Sequence, residues 1–324
     1  MPAAGDPNPS FWGGKSVVVT GGAGFLGKPT VRMLERLGAE VRAPRSAEYD
    51  LTDATACREA LAGADVVLHL AANVGGIGFN SSNPAPVVHD NLAMGLNVFD
   101  ACRDLGVEKL VATCSVCAYP KNTPAPFREE YLWEGYPDES SAAYGLAKKM
   151  LIVLADAYRR QYNLDSAVPV LTNIYGPEDN YDLEYSHVVA AMIQKFVVAA
   201  EQGDSEVVLW GTGEPSRELL YVEDAARALV LAAERADTLE PFNVGTGIET
   251  NIRDLARMVA EAVGYTGTTT WDTSRPDGQP VRCLDVSRAK ETIGFEARVS
   301  LEEGLPETVG SYRAARGASG SGQG

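Results

Sequence analysis

Several common sequence signals are scarce or missing in this 324-residue chain. Its five cysteines (57, 102, 114, 117 and 283) form no repeated C-x-x-C array, and only three histidines are present. This pattern argues against a disulfide framework and predicts no metal site. No apolar run approaches the ~20 residues needed to cross a bilayer. The N-terminal segment also lacks the basic-then-apolar order of a secretory signal. We therefore expect a cytoplasmic protein without a membrane partner.

Positive charge is also in deficit. The chain has 28 basic and 44 acidic residues, so its formal net charge is −16. A surface for nucleic acid or anionic membrane is not expected from such a balance, although a few local arginines could still hold an anionic nucleotide. Hydrophobic residues make up 45% and charged residues 22% of the chain, as in ordinary globular proteins.

Short apolar runs alternate with helical patterns over the first half of the chain. Strands are expected at 16–20, 40–43, 65–70, 109–114 and 166–172, and helices up to about residue 37, near 92–105 and at 144–162. This alternation predicts an α/β fold, a Rossmann-type doubly wound parallel sheet covered on both faces. Ligands of such sheets bind at the carboxyl ends of the strands.

The composition changes beyond about residue 176, which predicts a second, smaller lobe. We divide the chain into a flexible arm at 1–14, a Rossmann domain at 15–178, a mainly substrate-binding lobe at 179–315 and a disordered tail at 316–324. Brief apolar segments near 219–247 are expected to return to the Rossmann domain, so the boundary is interleaved.

A glycine-rich turn follows the first predicted strand and opens a helix. Its spacing is Gly21-x-x-Gly24-x-x-Gly27, with Phe25 and Leu26 between the last two glycines. Glycines at these positions permit a tight turn and the close approach of a pyrophosphate to backbone N–H groups. The context predicts a dinucleotide site, and the alternative is an ordinary strand-to-helix turn.

The residues after the second strand indicate which dinucleotide binds. This stretch contains Arg42, Arg45 and Ser46 but no carboxylate near its start. Arginines accommodate a 2′-phosphate, whereas a carboxylate would accept the 2′-hydroxyl of NAD. NADP(H) is therefore favoured over NAD, unless both arginines are only solvated surface charges. Asp53 is placed to meet the adenine edge, or it caps a helix.

Three further residues suggest nicotinamide chemistry. Tyr144 and Lys148 are four residues apart, so they share one face of a helix, and Ser115 ends a neighbouring strand. We expect the lysine to lower the pKa of the tyrosine and to hold the nicotinamide ribose. The tyrosine would then exchange a proton with an alcohol or ketone, with the serine bound to the same oxygen.

Together these motifs resemble the extended short-chain dehydrogenase/reductases of the NAD-dependent epimerase/dehydratase family, in the branch that includes the GDP-L-fucose synthases. The resemblance covers roughly residues 16–312. Its most distinctive motifs are Ala71-Ala-Asn-Val-Gly-Gly-Ile77, Ser115-Val-Cys117-Ala-Tyr-Pro120, Thr172-Asn-Ile-Tyr-Gly-Pro177, Ser186-His187-Val188, Asn243-Val-Gly-Thr-Gly247 and Pro276-Asp-Gly278.

The resemblance implies epimerisation and reduction of a GDP-linked 4-keto sugar, commonly by a homodimer. Cys117 would remove a proton beside the ketone and His187 would return one from the opposite face. Lone cysteines and histidines are usually structural, so this pairing depends on the family pattern. Further implied cofactor contacts are Leu70, Ala71, Ala72, Asn173 and His187. Implied substrate contacts are Lys195, Trp210, Arg217, Asp277 and, as a second phosphate ligand, Arg282.

Some residues depart from the family pattern. Val116 replaces a hydroxyl residue, Ala118 a larger side chain and Glu178 a common histidine. The sugar could therefore be a heptose or another modified hexose, and one or two carbons could be inverted. An epimerase that retains its cofactor without net reduction is the nearest alternative. A non-catalytic nucleotide-sensing protein with the same fold is another.

Overall fold

The computed structural model describes residues 5–182, 186–274 and 279–320. The helices are α1 (Pro9–Trp12), α2 (Gly27–Arg36), α3 (Ala54–Leu61), α4 (Ile77–Ser82), α5 (Pro84–Leu105), α6 (Ala142–Tyr162), α7 (Val188–Gln202), α8 (Val222–Arg235), α9 (Ile252–Val263), α10 (Ser287–Ile293) and α11 (Leu301–Gly320). Two short 3-10 helices, Val116–Ala118 and Glu129–Trp133, lie between α5 and α6.

The strands are β1 (Ser16–Thr20), β2 (Glu40–Arg42), β3 (Val66–His69), β4 (Lys109–Ala112), β5 (Cys114–Ser115), β6 (Ser166–Ala167), β7 (Pro169–Leu171), β8 (Asn173–Tyr175), β9 (Glu206–Trp210), β10 (Ser216–Arg217), β11 (Leu219–Tyr221), β12 (Phe242–Val244), β13 (Thr250–Asn251) and β14 (Thr268–Asp272).

A parallel sheet with the order β2-β1-β3-β4-β6 forms the first lobe. One residue after β4 and after β6 the chain continues into a second parallel sheet, β12-β7-β5. Apolar side chains on one face of the five-stranded sheet pack against α3, α5 and α6. Those on the other face pack against α2, α8 and α10. The α/β fold with a Rossmann-type parallel sheet, predicted from the alternation, is confirmed.

Local sequence explains where the main helices begin and end. Pro84 starts α5, eight residues earlier than the sequence pattern indicates, because a proline fits the first helical turn. Gly106 ends this helix in the left-handed conformation, with φ of 69°. Asn163 ends α6 in the same way, at φ of 57°. These two long helices lie side by side, and the Tyr158 hydroxyl of α6 donates to Asp100 of α5 at 2.8 Å.

The second lobe has its own apolar core. It is built from α7, α9 and α11 with the parallel pair β9–β14, and Phe196, Ile193 and Val259 are fully buried in it. The segments between 219 and 247 pack on the Rossmann side: β11 pairs with β8 and β12 pairs with β7. The chain therefore crosses between the lobes several times near the carboxyl ends of the strands.

Both chain ends differ from what composition alone suggested. Residues 5–14, expected to form a flexible arm, pack against α8: Trp12 is fully buried and Arg227 donates to the Gly5 carbonyl at 2.9 Å. Burial of the Trp12 side chain stabilises this segment despite its content of proline and glycine. At the other end α11 continues to Gly320, into the predicted tail. Within the described ranges no helix has the length and apolar character of a membrane span.

Candidate active site

At two glycines of the glycine-rich turn, Gly21 and Gly27, the surrounding backbone leaves no space for a side chain. Gly21 has φ of 71°, and a Cβ there would lie 2.8 Å from the Ala71 nitrogen. A Cβ on Gly27 would lie 2.1 Å from the Gly21 oxygen. No side chain caps Leu26, the residue that precedes α2. The Lys28 N–H already donates to the Gly24 carbonyl at 3.0 Å, and the close packing of the turn forms a backbone cradle that fits the pyrophosphate of a dinucleotide.

The residues after β2 are arranged less simply than the sequence suggested. The Arg42 guanidinium donates to the carbonyls of Ala60 and Ala62, at 3.3 and 2.6 Å, at the end of α3. Arg45 and Ser46 lie exposed in the following loop. Asp53 caps α3, with its carboxylate accepting from the Ala56 N–H at 2.8 Å.

At the end of β3, Leu70, Ala71 and Ala72 face the glycine-rich turn. A Cβ on Gly21 would meet the backbone of Leu70 and Ala71. The Ala71 N–H donates to the Thr20 hydroxyl at 3.3 Å, which joins the ends of β1 and β3. These three residues thus lie at the carboxyl edge of the sheet, where the family pattern implies cofactor contacts.

His69 is a buried residue of this region that the sequence motifs did not reveal. Its Nδ1 lies 2.8 Å from the Thr20 hydroxyl. Burial, and secondarily the charge of Lys148, lower the pKa of His69 to about 3. The only sequence signal is one imidazole at the end of an apolar strand. The neutral imidazole of His69 is therefore a buried neighbour of Lys148.

Ser115, Tyr144 and Lys148 meet where β5 ends and α6 begins. The Ser115 hydroxyl oxygen accepts from the Cys117 N–H at 3.3 Å, so its own proton remains to be donated to a substrate oxygen. A Cβ on Gly145 would lie 2.1 Å from the Cys117 carbonyl oxygen. This contact brings the first turn of α6 against the Cys117 turn and sets Tyr144 beside it.

Burial dominates the titration of this group. It raises the pKa of Tyr144, with smaller contributions from Cys117 and Cys114. Burial also lowers the pKa of Lys148 to about 8, opposed by Cys114. The expected lowering of the tyrosine pKa by the lysine is therefore wrong for the protein alone, because loss of hydration outweighs the charge.

Cys117 and His187 lie on different lobes. Cys117 is half-buried in the 3-10 turn after Ser115, and the Arg282 guanidinium donates to its sulfur at 3.9 Å. His187 precedes α7 as its N-cap residue. His187 is exposed as a residue, but neighbouring protein atoms displace part of the hydration of its imidazole, and this desolvation lowers the pKa of His187. Among the described residues, no hydrogen bond joins His187 to Cys117, Ser115 or Tyr144.

Two of the expected substrate contacts, Lys195 and Trp210, lie on the second lobe. Lys195 donates to the Val208 carbonyl at 3.1 Å, and its ammonium lies 5.4 Å from the centre of the Trp210 ring. Trp210 itself is 64% exposed, which makes it a surface platform rather than a core residue. Lys195 also lines an open cleft of about 380 Å³ between α7 and β9. Asp277 lies outside the described residues.

Asn173 and Arg217 are already oriented by backbone carbonyls, whereas Arg282 is oriented by side chains. The Asn173 amide donates to the Glu218 carbonyl at 3.2 Å. Arg217 donates to the carbonyls of Ser216 and Gln279, at 2.6 and 2.7 Å. Arg282, expected as a phosphate ligand, instead points at the sulfur of Cys117, because its chain segment runs beside the Cys117 turn.

Glu218 fastens the loops that surround the site, a role the sequence did not assign. This fully buried carboxylate accepts from the N–H groups of Thr246, Gly247 and Leu284 at 2.6–2.8 Å. A Cβ on Gly245 would lie 2.0 Å from it. The signal was a carboxylate directly before the apolar strand β11 and, further along the chain, a glycine-rich loop.

Comparison with known proteins agrees with this geometry. Residues 17–245 match the family described as "NAD dependent epimerase/dehydratase family". GDP-L-fucose synthase 1 of Arabidopsis thaliana is 38% identical over 299 residues, covering 91% of this chain and 92% of that protein. GDP-L-fucose synthase of Escherichia coli (strain K12) is 36% identical over 304 residues, covering 90% and 94%. The crystal structure of a GDP-L-fucose synthetase from Naegleria fowleri bound to NADP has a TM-score of 0.86 and 30% identity, covering 94% of each chain.

Proposed function

The chain belongs to the NAD-dependent epimerase/dehydratase family, and we propose that it is an epimerase/reductase for a GDP-linked 4-keto sugar. The observation that carries this proposal is the meeting of two chemistries at one strand end. Ser115 and Tyr144 would donate hydrogen bonds to a carbonyl oxygen. Cys117, two residues from the serine, would remove a proton from a neighbouring C–H bond. Relatives named GDP-L-fucose synthase are 36–38% identical to this chain over 90–91% of its length.

The proposed cofactor is NADP(H), held by the glycine-rich turn and Lys148. When bound, the nicotinamide supplies or accepts hydride at the sugar carbon. Arg45 and Ser46 are the proposed contacts of the 2′-phosphate, because both are exposed beside β2. Arg42 would join them only by leaving the end of α3. Tighter binding of NAD than of NADP, measured by titration calorimetry, would contradict this assignment.

Proton transfer beside the ketone follows from the acidity of the C–H bonds next to C4. The Cys117 thiolate takes a proton from C3 or C5, the C–H electron pair becomes the enolate, and negative charge develops on the C4 oxygen. The Ser115 and Tyr144 hydroxyls donate hydrogen bonds to that oxygen. Protonated His187 returns a proton to the opposite face, which inverts the carbon.

For the reduction, the C4 oxygen needs a proton as the carbonyl becomes an alcohol. Tyr144 donates it, and its raised pKa keeps the phenol protonated at neutral pH. Lys148 lies one helical turn further along α6, with a pKa lowered to about 8 by burial. Charged for much of the time near neutral pH, it holds the nicotinamide ribose and stabilises the tyrosinate left behind.

The nucleotide is proposed to occupy the cleft between α7 and β9. Its lining includes Lys195, Asp204 and Glu206, and Gln194 contributes a buried amide oxygen that accepts no hydrogen bond from any described residue. Such acceptors suit the N1–H and N2–H₂ groups of guanine, which uracil lacks. Trp210 offers a face for stacking, and Arg217 lies where a guanidinium would meet the diphosphate.

The deciding experiment incubates the purified chain with GDP-4-keto-6-deoxymannose and NADPH in deuterium oxide. Loss of nicotinamide absorbance together with deuterium in the sugar is the expected result. Deuterium incorporation without loss of absorbance would favour the alternative, an epimerase that performs no net reduction. Neither exchange nor oxidation with several GDP sugars would overturn both functions and favour a nucleotide-sensing role.

We also propose a homodimer, formed through the outer faces of α5 and α6. Leu96, Met150 and Val153 are 46%, 40% and 40% exposed on these adjacent helices. A second copy of the same face would cover them, because apolar surface of this kind is removed from water on association. Light scattering should give twice the chain mass for the native protein and a single chain mass for a Met150→Glu, Val153→Glu variant. A monomeric native protein would exclude this interface.

A further inference from the structure

Arg282 lies at the point where the proposed proton transfer needs a positive charge. Its Nη1 is 3.9 Å from the Cys117 sulfur, although the two residues are 165 positions apart in sequence. A thiol removes a proton only as the thiolate, and a neighbouring guanidinium stabilises that form. The side chain is partly buried, which weakens screening by solvent.

The guanidinium is aimed at the sulfur by Gln279. The Arg282 Nε donates to the Gln279 Oε1 at 2.7 Å. Because the Gln279 Nε2 donates to the Lys121 carbonyl at 2.9 Å, the orientation of the amide is determined and its oxygen must face the arginine. The Gln279 carbonyl in turn accepts from Arg217 at 2.7 Å. Gln279 therefore contacts both arginines: its side-chain oxygen accepts from Arg282, and its backbone carbonyl accepts from Arg217. The two guanidinium groups are thus held in different directions.

The backbone of Arg282 is held just as firmly. Its carbonyl accepts from the Glu218 N–H at 2.9 Å, and the next carbonyl, of Cys283, accepts from the Phe127 N–H at 2.7 Å. The Glu218 carboxylate also accepts from the Leu284 N–H. The segment is thus fixed on both sides, and the guanidinium has little freedom to swing toward a distant phosphate.

Other ionisable groups around the pair do not replace this charge. Tyr144 of α6 and Cys114 of β5 face Cys117, and both are neutral at neutral pH because burial raises their pKa values. The Asp138 carboxylate is close enough to interact with Arg282, but it also accepts from Ser140 and pairs with Lys121. Among the described residues, Arg282 is the cation in hydrogen-bond contact with the Cys117 sulfur.

We infer that Arg282, aligned by Gln279, is a positioning residue that stabilises the thiolate of Cys117, rather than a ligand of the substrate diphosphate. The inference rests on the proposed function for the use of that thiolate. The stabilisation itself is a property of the protein before any substrate binds.

Alkylation of the full-length protein by iodoacetamide tests the inference without turnover. The second-order rate is measured from pH 5 to pH 10, and the Cys117→Ser variant identifies which part of the reaction belongs to this thiol. We expect Arg282→Gln to lower the alkylation rate at pH 7 about tenfold, because the thiolate loses its neighbouring positive charge. Arg282→Lys should restore most of the rate, since it keeps the charge.

Two further variants separate charge from structure. Arg128→Gln removes an exposed arginine that pairs with Asp285 at 3.6 Å, and it should leave the profile unchanged. Gln279→Leu keeps the arginine but not its alignment, and should slow alkylation about threefold. If Arg282→Gln does not fold, this variant decides. An unchanged profile in the folded variant would overturn the inference, and an accompanying rise in KM for the GDP sugar would identify Arg282 as a phosphate ligand.

This result and the result on function are independent. A profile that depends on Arg282, together with no exchange or oxidation of any GDP 4-keto sugar, would refute the proposed function and leave the thiolate pair standing. Normal turnover with an unchanged alkylation profile would do the reverse.

Discussion

The residues proposed for hydride transfer, here called the redox half, all come from the Rossmann lobe: Ser115 ends β5, and Tyr144 and Lys148 lie in the first two turns of α6. The proton-transfer half divides between the lobes: Cys117 follows β5, whereas His187 precedes α7. The geometry of the redox half therefore depends on the folding of the Rossmann lobe. The second depends on how the two lobes meet. This difference predicts that reduction and epimerisation respond differently to the same perturbation.

The largest separation is expected from Cys117→Ser. A serine cannot supply a thiolate, so deuterium exchange into the sugar should fall about 10³-fold. Hydride transfer to a ketone that needs no inversion should change less than about tenfold. Cys114→Ser, which alters a buried neighbour, is the matched control, and NMR of the product reports both steps. Equal loss of both activities would show that the two halves are not separate.

The converse perturbation is Tyr144→Phe. Removing the phenol takes away the proposed proton donor of the reduction, and oxidation of NADPH should slow about 10²-fold. Exchange should decline less, because Ser115 still donates to the enolate oxygen. Stopped-flow absorbance and deuterium incorporation measured on one sample compare the two. A larger loss in exchange than in reduction would reverse the assignment.

Gly145→Ala should damage both halves together. Its Cβ would lie 2.1 Å from the Cys117 carbonyl, so α6 and the Cys117 turn must move apart. We expect each activity to fall about tenfold or more, since small displacements of reacting groups cost about 10²-fold in rate. Gly310→Ala on α11 is the control, because a Cβ there meets nothing within 4 Å. Loss of only one activity would mean that this contact serves one half.

These comparisons show what local sequence could and could not predict. The spacings of Gly21, Gly24 and Gly27, and of Tyr144 and Lys148, are local, so the tight turn and the shared helix face could be predicted from them. The contact of Arg282 with Cys117 joins segments 165 residues apart, and no pattern within either segment contains it.

Burial was the other quantity hidden from the sequence. It reversed the expected effect of Lys148 on Tyr144, and it made Trp12 the anchor of a segment that composition marked as loose. Both outcomes depend on which atoms surround a side chain. That information exists only after the lobes have packed.

Acid is expected to lower the stability of the fold through His69. Its folded pKa of about 3 is below the ordinary value of 6.5, so the neutral ring stabilises the fold above about pH 6.5. As the pH falls from there toward 3, the unfolded state binds the proton and the folded state does not, and stability is lost. We expect a decrease of about 1–3 kcal/mol in the free energy of unfolding between pH 7 and pH 4. Urea titrations of the native chain should show a steeper decline than those of His69→Asn.

The smallest effect is expected at Glu178, which connects the lobes. Its carboxylate pairs with Lys28 and Arg32 of α2 at 2.7 and 3.0 Å, and its N–H donates to Ser311 of α11 at 3.3 Å. The side chains are 40–44% exposed, so the pairs contribute about 0–1 kcal/mol. Glu178→Gln should lower exchange less than about fivefold and leave reduction unchanged. A larger loss of reduction than of exchange would contradict the division of the site between the lobes.

Two of the four tryptophans, one in each lobe, differ sharply in exposure. Trp12 is fully buried beneath the Rossmann sheet, whereas Trp210 is 64% exposed at the end of β9 in the second lobe. A buried indole emits at shorter wavelength than one in water, so the blue edge of the fluorescence spectrum follows Trp12 and the first lobe. The red edge combines Trp210 with Trp133, which is 55% exposed in the first lobe, and a Trp133→Phe variant leaves it to the second lobe. A guanine nucleotide stacked on Trp210 would quench the red edge alone. Intrinsic fluorescence could then follow substrate binding and the unfolding of the Rossmann lobe in one cuvette, without a label.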